Sequence, residues 1–247
     1  MLLKNKTVVI TGCNRGIGFA ILKTFLINGA NVIACTRKNN KKLKNDLEKL
    51  FPKYVKRVKF VNFDLEKEEE IIKGFNSIKK IAQSIDIIIN NAGVNQASLF
   101  QMTSVEKAKS VFNTNFFSVF SLTQKLLKIL KKNSYSKIIN ISSNAAELCS
   151  VGRSVYAPSK AAVIAFTKVL SKELGTNKIC VNAIAPGLVD TDMKNETPIK
   201  IVEDVIQNTA LKKIATPEDI SKTALFLASD ESNHISGETI FITGGFS

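Results

Sequence analysis

The 247-residue chain has one histidine, no tryptophan and four scattered cysteines. One histidine leaves little from which to build a zinc centre, and Cys13, Cys35, Cys149 and Cys180 show no metal-ligand spacing. No metal is expected. Three of these cysteines sit in or beside apolar runs, where a small buried thiol is the ordinary role, and a reducing, cytoplasmic setting suits them. No run of eighteen uninterrupted apolar residues occurs, so no membrane-spanning helix is expected. The opening MLLKNKTVVITG enters an apolar run at once and leaves no room for a signal peptide. Arginine is also scarce: Arg15, Arg37, Arg57 and Arg153 are the only ones among 35 basic residues. The formal charge is +14, yet the lysines are spread along the chain among asparagines rather than gathered on one face. That distribution argues against nucleic acid as a partner and suits anionic small molecules.

What is present is a regular alternation. Short apolar, β-branched runs at residues 7–10, 31–36, 58–63, 85–89, 137–141, 179–183 and 238–242 read as buried strands. Between them lie helical patterns at 19–26, 38–50, 67–77, 104–131, 156–174 and 217–228, the last opened by a Thr216 cap ahead of Pro217, Glu218 and Asp219. Residues 194–215 carry no firm signature and read as a mobile, substrate-covering region. No repeat, low-complexity linker or domain boundary interrupts the chain, so residues 1–247 are expected to form one domain.

The chemistry-bearing residues cluster after the strands. TGCNRGIG follows the first strand, with Gly12, Gly16 and Gly18 leading into a helix. Glycine lets backbone approach a pyrophosphate, and the helix N-terminus offers free amides and positive potential. The second strand ends Cys35-Thr36-Arg37, without the acid that would bind a ribose 2′-hydroxyl. Arg37 and Arg15 suit a 2′-phosphate instead, favouring NADP(H) over NAD(H). Asp64, at the third strand end, either accepts from an adenine amino group or caps the next helix. Asn90-Asn91-Ala92-Gly93 follows the fourth strand. Tyr156 and Lys160, four apart at a helix start, put phenol and ammonium on one face, where the cation favours the phenolate. Ser142 or Ser143 brings a hydroxyl to the same place. Asn115 either bonds across a helix break or holds a water near Lys160. Pro186-Gly187 shapes the turn after the sixth strand, and Thr191 beyond it suits a carboxamide or phosphate.

Along nearly its full length the chain resembles the short-chain dehydrogenase/reductase family. The resemblance rests on Thr11-Gly12-x-x-x-Gly16-x-Gly18, Asn90-Asn91-Ala92-Gly93, Asn115, a serine thirteen residues before Tyr156, Tyr156-x-x-x-Lys160, Pro186-Gly187 and Thr191. The nearest likeness within the family is to 3-oxoacyl-(acyl-carrier-protein) reductases, through IAPGLVDTDM and ALFLASDESNHISGETIFITGG. It implies an α/β fold: a single Rossmann-like doubly wound domain with a seven-stranded parallel sheet flanked by helices. It also implies an NADP(H)-dependent oxidoreductase that reduces a 3-oxoacyl-acyl-carrier-protein in fatty acid biosynthesis. By the same likeness Tyr156 is the general acid, Ser143 polarises the carbonyl, Lys160 holds the nicotinamide ribose and lowers the tyrosine pKa, and Asn115 positions a relay water. Gly12, Asn14, Arg15, Gly16, Ile17, Gly18 and Arg37 would hold the phosphates. Asp64 and Leu65 would frame the adenine, and Asn91, Ala92 and Gly93 the adjoining ribose. Pro186, Gly187, Val189 and Thr191 would lie on the carboxamide side. Partners implied are a small-molecule or acyl-thioester substrate, acyl carrier protein and further copies of the chain, a tetramer ahead of a dimer. Two departures point elsewhere: Ser134 and Asn177 stand where carrier-gripping arginines are usual, leaving Lys131, Lys132, Lys172 and Lys178 as point charges. The alternatives are a reductase of small or sugar-derived carbonyls and a non-catalytic regulatory protein that retains the cofactor fold.

Overall fold

The computed structural model describes residues 1–38, 41–132, 134–192, 194 and 197–246. Seven strands form one parallel sheet: β1 (Thr7–Thr11), β2 (Asn31–Thr36), β3 (Val58–Asn62), β4 (Ile87–Asn90), β5 (Ser136–Ile141), β6 (Ile179–Pro186) and β7 (Thr239–Ile242). Their spatial order is β3-β2-β1-β4-β5-β6-β7. The order reverses between β1 and β4, and the carboxyl ends of those two strands flank the crevice where such sheets take ligands.

The helices are α1 (Gly16–Ile27), α2 (Lys41–Leu50), α3 (Glu68–Ile81), α4 (Val105–Phe112), α5 (Ser118–Leu126), α6 (Ala145–Leu148), α7 (Tyr156–Leu174), α8 (Ile199–Asn208) and α9 (Pro217–Ala228). Strand periodicity sorts them onto two faces. Val8, Ile10, Val32 and Ala34 join a core with Phe25 of α1, Leu43 of α2 and Leu227 of α9. Val9, Ile33 and Cys35, the alternating residues, join a core with Ile78 of α3, Leu126 of α5 and Leu170 of α7. Both faces are therefore covered, which is why the strands read as continuous apolar runs.

The helical stretch expected over 104–131 is not one helix. Ser104 caps α4 by accepting from the Lys107 amide, but Asn113–Phe117 widens into a π-helical segment, and α5 ends at Leu126. Leu130 already pairs with Ile85 as an isolated bridge, so the fourth strand proper begins at Ile87 rather than at residue 85. The sixth strand is longer than expected, because it continues through Pro186 against β7. Helix α2 begins at Lys41 instead of residue 38; residues 39 and 40 lie outside the described set. In the stretch 194–215, residues 195 and 196 lie outside it as well, and the remainder contains α8, an amphipathic helix with no fully buried residue. The Thr216 cap is a complete capping box with Asp219. No described helix is long and apolar enough to cross a membrane.

A buried polar relay ties the sheet centre to the two helical arms flanking the crevice. Asn90 Nδ2 donates to Asn140 Oδ1 (2.8 Å) and Thr123 Oγ1 (2.9 Å), and Asn140 Nδ2 donates to Thr167 Oγ1 (2.9 Å). Asn140 and Thr167 are fully buried, so these bonds have no water to replace them. Asn140→Ala is expected to cost about 2 kcal/mol, because it strands donors and acceptors on β4 and α7. Thermal melting should show this as a midpoint about 4–8 °C lower.

Candidate active site

A cavity of about 1040 Å³ runs along the carboxyl ends of the strands. At one end lies the glycine loop. Helix α1 opens at Gly16 with no acidic residue in its first turn and no side-chain cap, so its amides face the cavity as an anion site. The loop is pressed onto the end of β4: a Cβ on Gly18 would lie 2.2 Å from the Gly12 carbonyl oxygen, and one on Gly12 2.8 Å from the Ala92 Cα. Asn91 fixes this contact, its Nδ2 donating to the carbonyls of Thr11 and Gly12 (both 3.0 Å). Thr11 Oγ1 returns the clasp by accepting from the amides of Asn91 and Ala92. Asn91 thus bonds the main chain of β1, not its own.

Arg37 stands at the end of β2, exposed and facing the cavity, with no ion pair among the described residues. Arg15 faces the same space, with its Nη1 3.7 Å from the Asp192 carboxylate across the cleft. Asp64 does not cap α3. The N-terminal flank of that helix is Lys67 without a side-chain bond, and Asp64 Oδ1 accepts from the Glu66 amide in a local turn. Its carboxylate and Leu65 are left lining the cavity. Thr191 lies over the glycine loop, where a Cβ on Gly16 would meet its methyl at 3.2 Å. Glycine cradle, free helix terminus and unpaired guanidinium together fit a dinucleotide bearing an extra phosphate.

The other end of the cavity holds the polar pair on α7. Tyr156 is half-buried beside Ser143, whose hydroxyl accepts from the Ala145 amide at the start of α6 (3.2 Å). Ser142 faces away from that chemistry and donates to the Lys160 carbonyl oxygen (2.8 Å). Of the two serines, it is Ser143 whose hydroxyl lies toward the Tyr156 phenol. Burial pushes the Tyr156 phenol above its ordinary range, and the neighbouring Ser143 hydroxyl and then the Arg153 guanidinium pull it back. Lys160, expected to be the main cation acting on the phenol, is not among these influences. Its Nζ donates to the Ile141 carbonyl (2.9 Å), and burial lowers its pKa to about 8.

Asn115 does not line the cavity. It sits behind it in the π-helical segment, fully buried. Its Oδ1 accepts from the Val94 amide (2.8 Å), and its Nδ2 donates to the Val94 carbonyl (3.0 Å) and Ser159 Oγ (3.1 Å). A Cβ on Gly93 would lie 3.2 Å from both Asn115 Oδ1 and Lys160 Nζ. The amide therefore clasps the 93–94 backbone to α7 beside the lysine. All the other cofactor and catalytic residues named from the sequence line the one cavity. Arg153, which carried no assignment there, lines it too. Its signal was a lone arginine three residues before the tyrosine.

The Lys160 environment makes a stability prediction. Its folded pKa, about 8, lies below the ordinary 10.5, so between those values the unfolded chain binds more protons and stability rises with pH. The penalty is at full strength below pH 8. Lys160→Met should accordingly be more stable than the natural protein at neutral pH, by on the order of 2 kcal/mol after loss of the Ile141 bond. Melting curves without added nucleotide should show that margin shrinking between pH 8 and 10.5; a margin constant in pH would contradict it.

Comparison with known proteins agrees with this arrangement. The family described as Enoyl-(Acyl carrier protein) reductase matches residues 12–247. The 3-oxoacyl-(acyl-carrier-protein) reductase of Chlamydia trachomatis serovar D is 37% identical over 244 residues, covering 99% of this chain and 98% of the relative. That of Thermotoga maritima is 35% identical over 247 residues, with 99% of each covered. A 3alpha-hydroxysteroid dehydrogenase of Mediterraneibacter gnavus is 34% identical over 246 residues, covering 99% and 98%. With the seven-stranded parallel sheet, the glycine cradle and the Ser143, Tyr156 and Lys160 constellation, these matches place the chain in the short-chain dehydrogenase/reductase family of oxidoreductases.

Proposed function

We propose that the protein reduces a ketone to a secondary alcohol with NADPH, and that its substrate is a 3-oxoacyl group carried as a thioester on acyl carrier protein. The observation that carries this reading is that Ser143, Tyr156 and Lys160 line the same cavity as the glycine cradle and Arg37. Held by the glycine cradle, Arg15 and Arg37, bound NADPH would supply the hydride and be oxidised to NADP⁺. Ser143 holds and polarises the carbonyl oxygen, where negative charge develops as the carbon is reduced. Tyr156 gives its phenolic proton to that oxygen, completing the alcohol and leaving a phenolate. Lys160 would hold the nicotinamide ribose and pass a proton back from solvent, a role suited to an ammonium whose pKa has fallen to about 8. Asn115 keeps Gly93, Val94 and Ser159 in register so that Lys160 meets the cavity at a fixed point. Arg37 and Arg15 select the 2′-phosphate, Arg15 leaving Asp192 to do so.

The carrier-linked substrate rests on the reductases of Chlamydia and Thermotoga, whose names state it. One specific observation favours a second reading, a free small ketone. Ser134 and Asn177 are not arginines, and Lys131, which was to compensate, is held by the buried Asp86 carboxylate at 2.8 Å. Lys132, Lys172 and Lys178 remain exposed to meet an acidic carrier. The exposed apolar residues Phe100, Met102, Val105, Phe117, Phe120 and Val169 suit a homo-oligomer, tetramer before dimer. A place in fatty acid biosynthesis in the cytoplasm goes with that assignment.

Two substitutions and a substrate panel test it. Tyr156→Phe should lower ketone reduction by about 10²–10⁴-fold with NADPH affinity nearly unchanged. Arg37→Asp should weaken NADPH by about 10–100-fold and NADH little, as read by titration of both nucleotides. Turnover of acetoacetyl thioesters ahead of sugar-like ketones supports the carrier-linked substrate, and the reverse order supports the second reading. Near-normal turnover by Tyr156→Phe would remove the mechanism altogether.

A further inference from the structure

The segment between α6 and α7 carries Arg153, whose guanidinium carbon stands 5.6 Å from the centroid of the Tyr156 ring. The side chain is not loose. Its Nη1 donates to Asn95 Oδ1 and to the Gln96 carbonyl (3.1 Å), two residues beyond the Gly93–Val94 clasp. Its own carbonyl accepts from the Ala157 amide in the first turn of α7 (2.9 Å), and its amide donates to the Ser150 carbonyl. The anchoring loop is itself fixed. Gln96 is buried and bonded to Ser98 and Thr103, and the Ser98 amide donates to the Gly152 carbonyl (3.0 Å). One planar cation is thus held against the phenol ring from both sides of the cleft.

Other charged groups reach the phenol less well. Lys160 follows Tyr156 by one turn and spends its ammonium on the Ile141 carbonyl. Glu147 on α6 is exposed. Asp192, Asp204 and Lys213 face the cavity from beyond β6, and Asp192 is paired with Arg15. Of the groups on the elements packed about the ring, Arg153 has the direct contact.

We propose that Arg153 is a positioning residue for Tyr156: lying over the ring and tethered to Asn95 and Gln96, it sets the ring's orientation and stabilises the phenolate left after proton donation. The inference rests on the reading of Tyr156 as proton donor. A cation over an aromatic face is attracted to its π-electrons, and more strongly when the ring oxygen is ionised. Arginine suits the task, since it stays charged throughout and its planar fork can stack while one nitrogen bonds the loop. Burial raises the phenol and Arg153 opposes it, in agreement with the geometry. The tether also joins this cation to the loop following β4, so the reacting phenol and the Gly93 turn are held in one frame.

The chain has three tyrosines and no tryptophan, so tyrosinate absorbance in the near ultraviolet follows Tyr156 directly once the Tyr156→Phe background is subtracted. The titration is made on the intact protein with NADP⁺ bound. Arg153→Gln should move the Tyr156 titration upward by about one pH unit. Arg153→Lys, which keeps the charge without the fork, should recover part of that shift, and Asn95→Ala, which cuts the tether, should give a smaller upward shift. In acetoacetyl-thioester reduction the alkaline fall of kcat/KM should move in the same direction. A Tyr156 titration unmoved in folded Arg153→Gln overturns the proposal, and so does an equal shift in Arg153→Lys. Turnover retained in Tyr156→Phe would sink the proton-donor reading instead, an outcome separate from the absorbance result.

Discussion

The structure is organised around the burial of one ammonium group. Lys160 is 5% exposed and has a single acceptor among the described residues, the carbonyl of Ile141 at the last residue of β5. Removing a lysine from water with one hydrogen bond is unfavourable, and its depressed pKa records that. The position survives because neighbouring polar groups fix the backbone on every side of it. Ser142 holds the Lys160 carbonyl, Asn115 holds Val94 and Ser159, and Ser159 donates to the Tyr156 carbonyl (2.7 Å). Each of these side chains is neutral and bonded to main chain or hydroxyl partners, so none supplies a counter-charge to the ammonium. The fold keeps this buried charge at the wall of the cavity, and the deep polar relay through Asn90, Asn140 and Thr167 stiffens the same helix one layer below.

That burial explains an otherwise odd feature, the π-helical segment between α4 and α5. An extra residue in the helical turn changes the direction in which Asn115 leaves the backbone, and such segments favour functional positions. Here the turn carries Asn115 inward to both polar groups of Val94, while Val111 before it and Leu122 after it keep their places in the core. A regular helix would place successive turns in one phase, and one side of this arrangement would be lost.

How much of this was legible follows from what each element packs against. The sheet strands are buried on both faces by the chain itself, so their apolar runs stood out, and β2 fell on the residues expected. Helix α7 was likewise readable to both ends. The glycines of the cofactor loop were legible because steric contact with Ala92 and Gly12 admits no side chain there. A helix break at Asn115 was one of the two readings open there, but its π-helical form was not legible, because the apolar pattern of residues 105–126 continues through it. The partner of Asn115, Val94, lies 21 residues away and leaves no local trace. Lys160 was rightly placed beside Tyr156 by helical spacing, but spacing carries no information on the carbonyl its ammonium would choose. Asp64 offered two roles from sequence, and only the main-chain geometry of residues 64–67 separated them.

The same reasoning says why the substrate end reads so faintly. Helix α8 has no buried residue, and two of its apolar side chains, Ile201 and Val205, face the cavity rather than the core. Helix α6 is four residues long and ends at Cys149 in a left-handed conformation, a bend too short to show any period. Core positions declare themselves because the protein supplies their packing partner, and the partner's pattern is in the same chain. Around the substrate cleft the missing partner is another molecule. Its shape is encoded there only by side chains that line the cavity, such as Leu148, Val151 and Phe246. Arg153 is the exception, because its partners, the Tyr156 ring and the 95–96 loop, belong to the protein. That is why a position with no family signature can still be assigned a physical role once the fold brings those partners together.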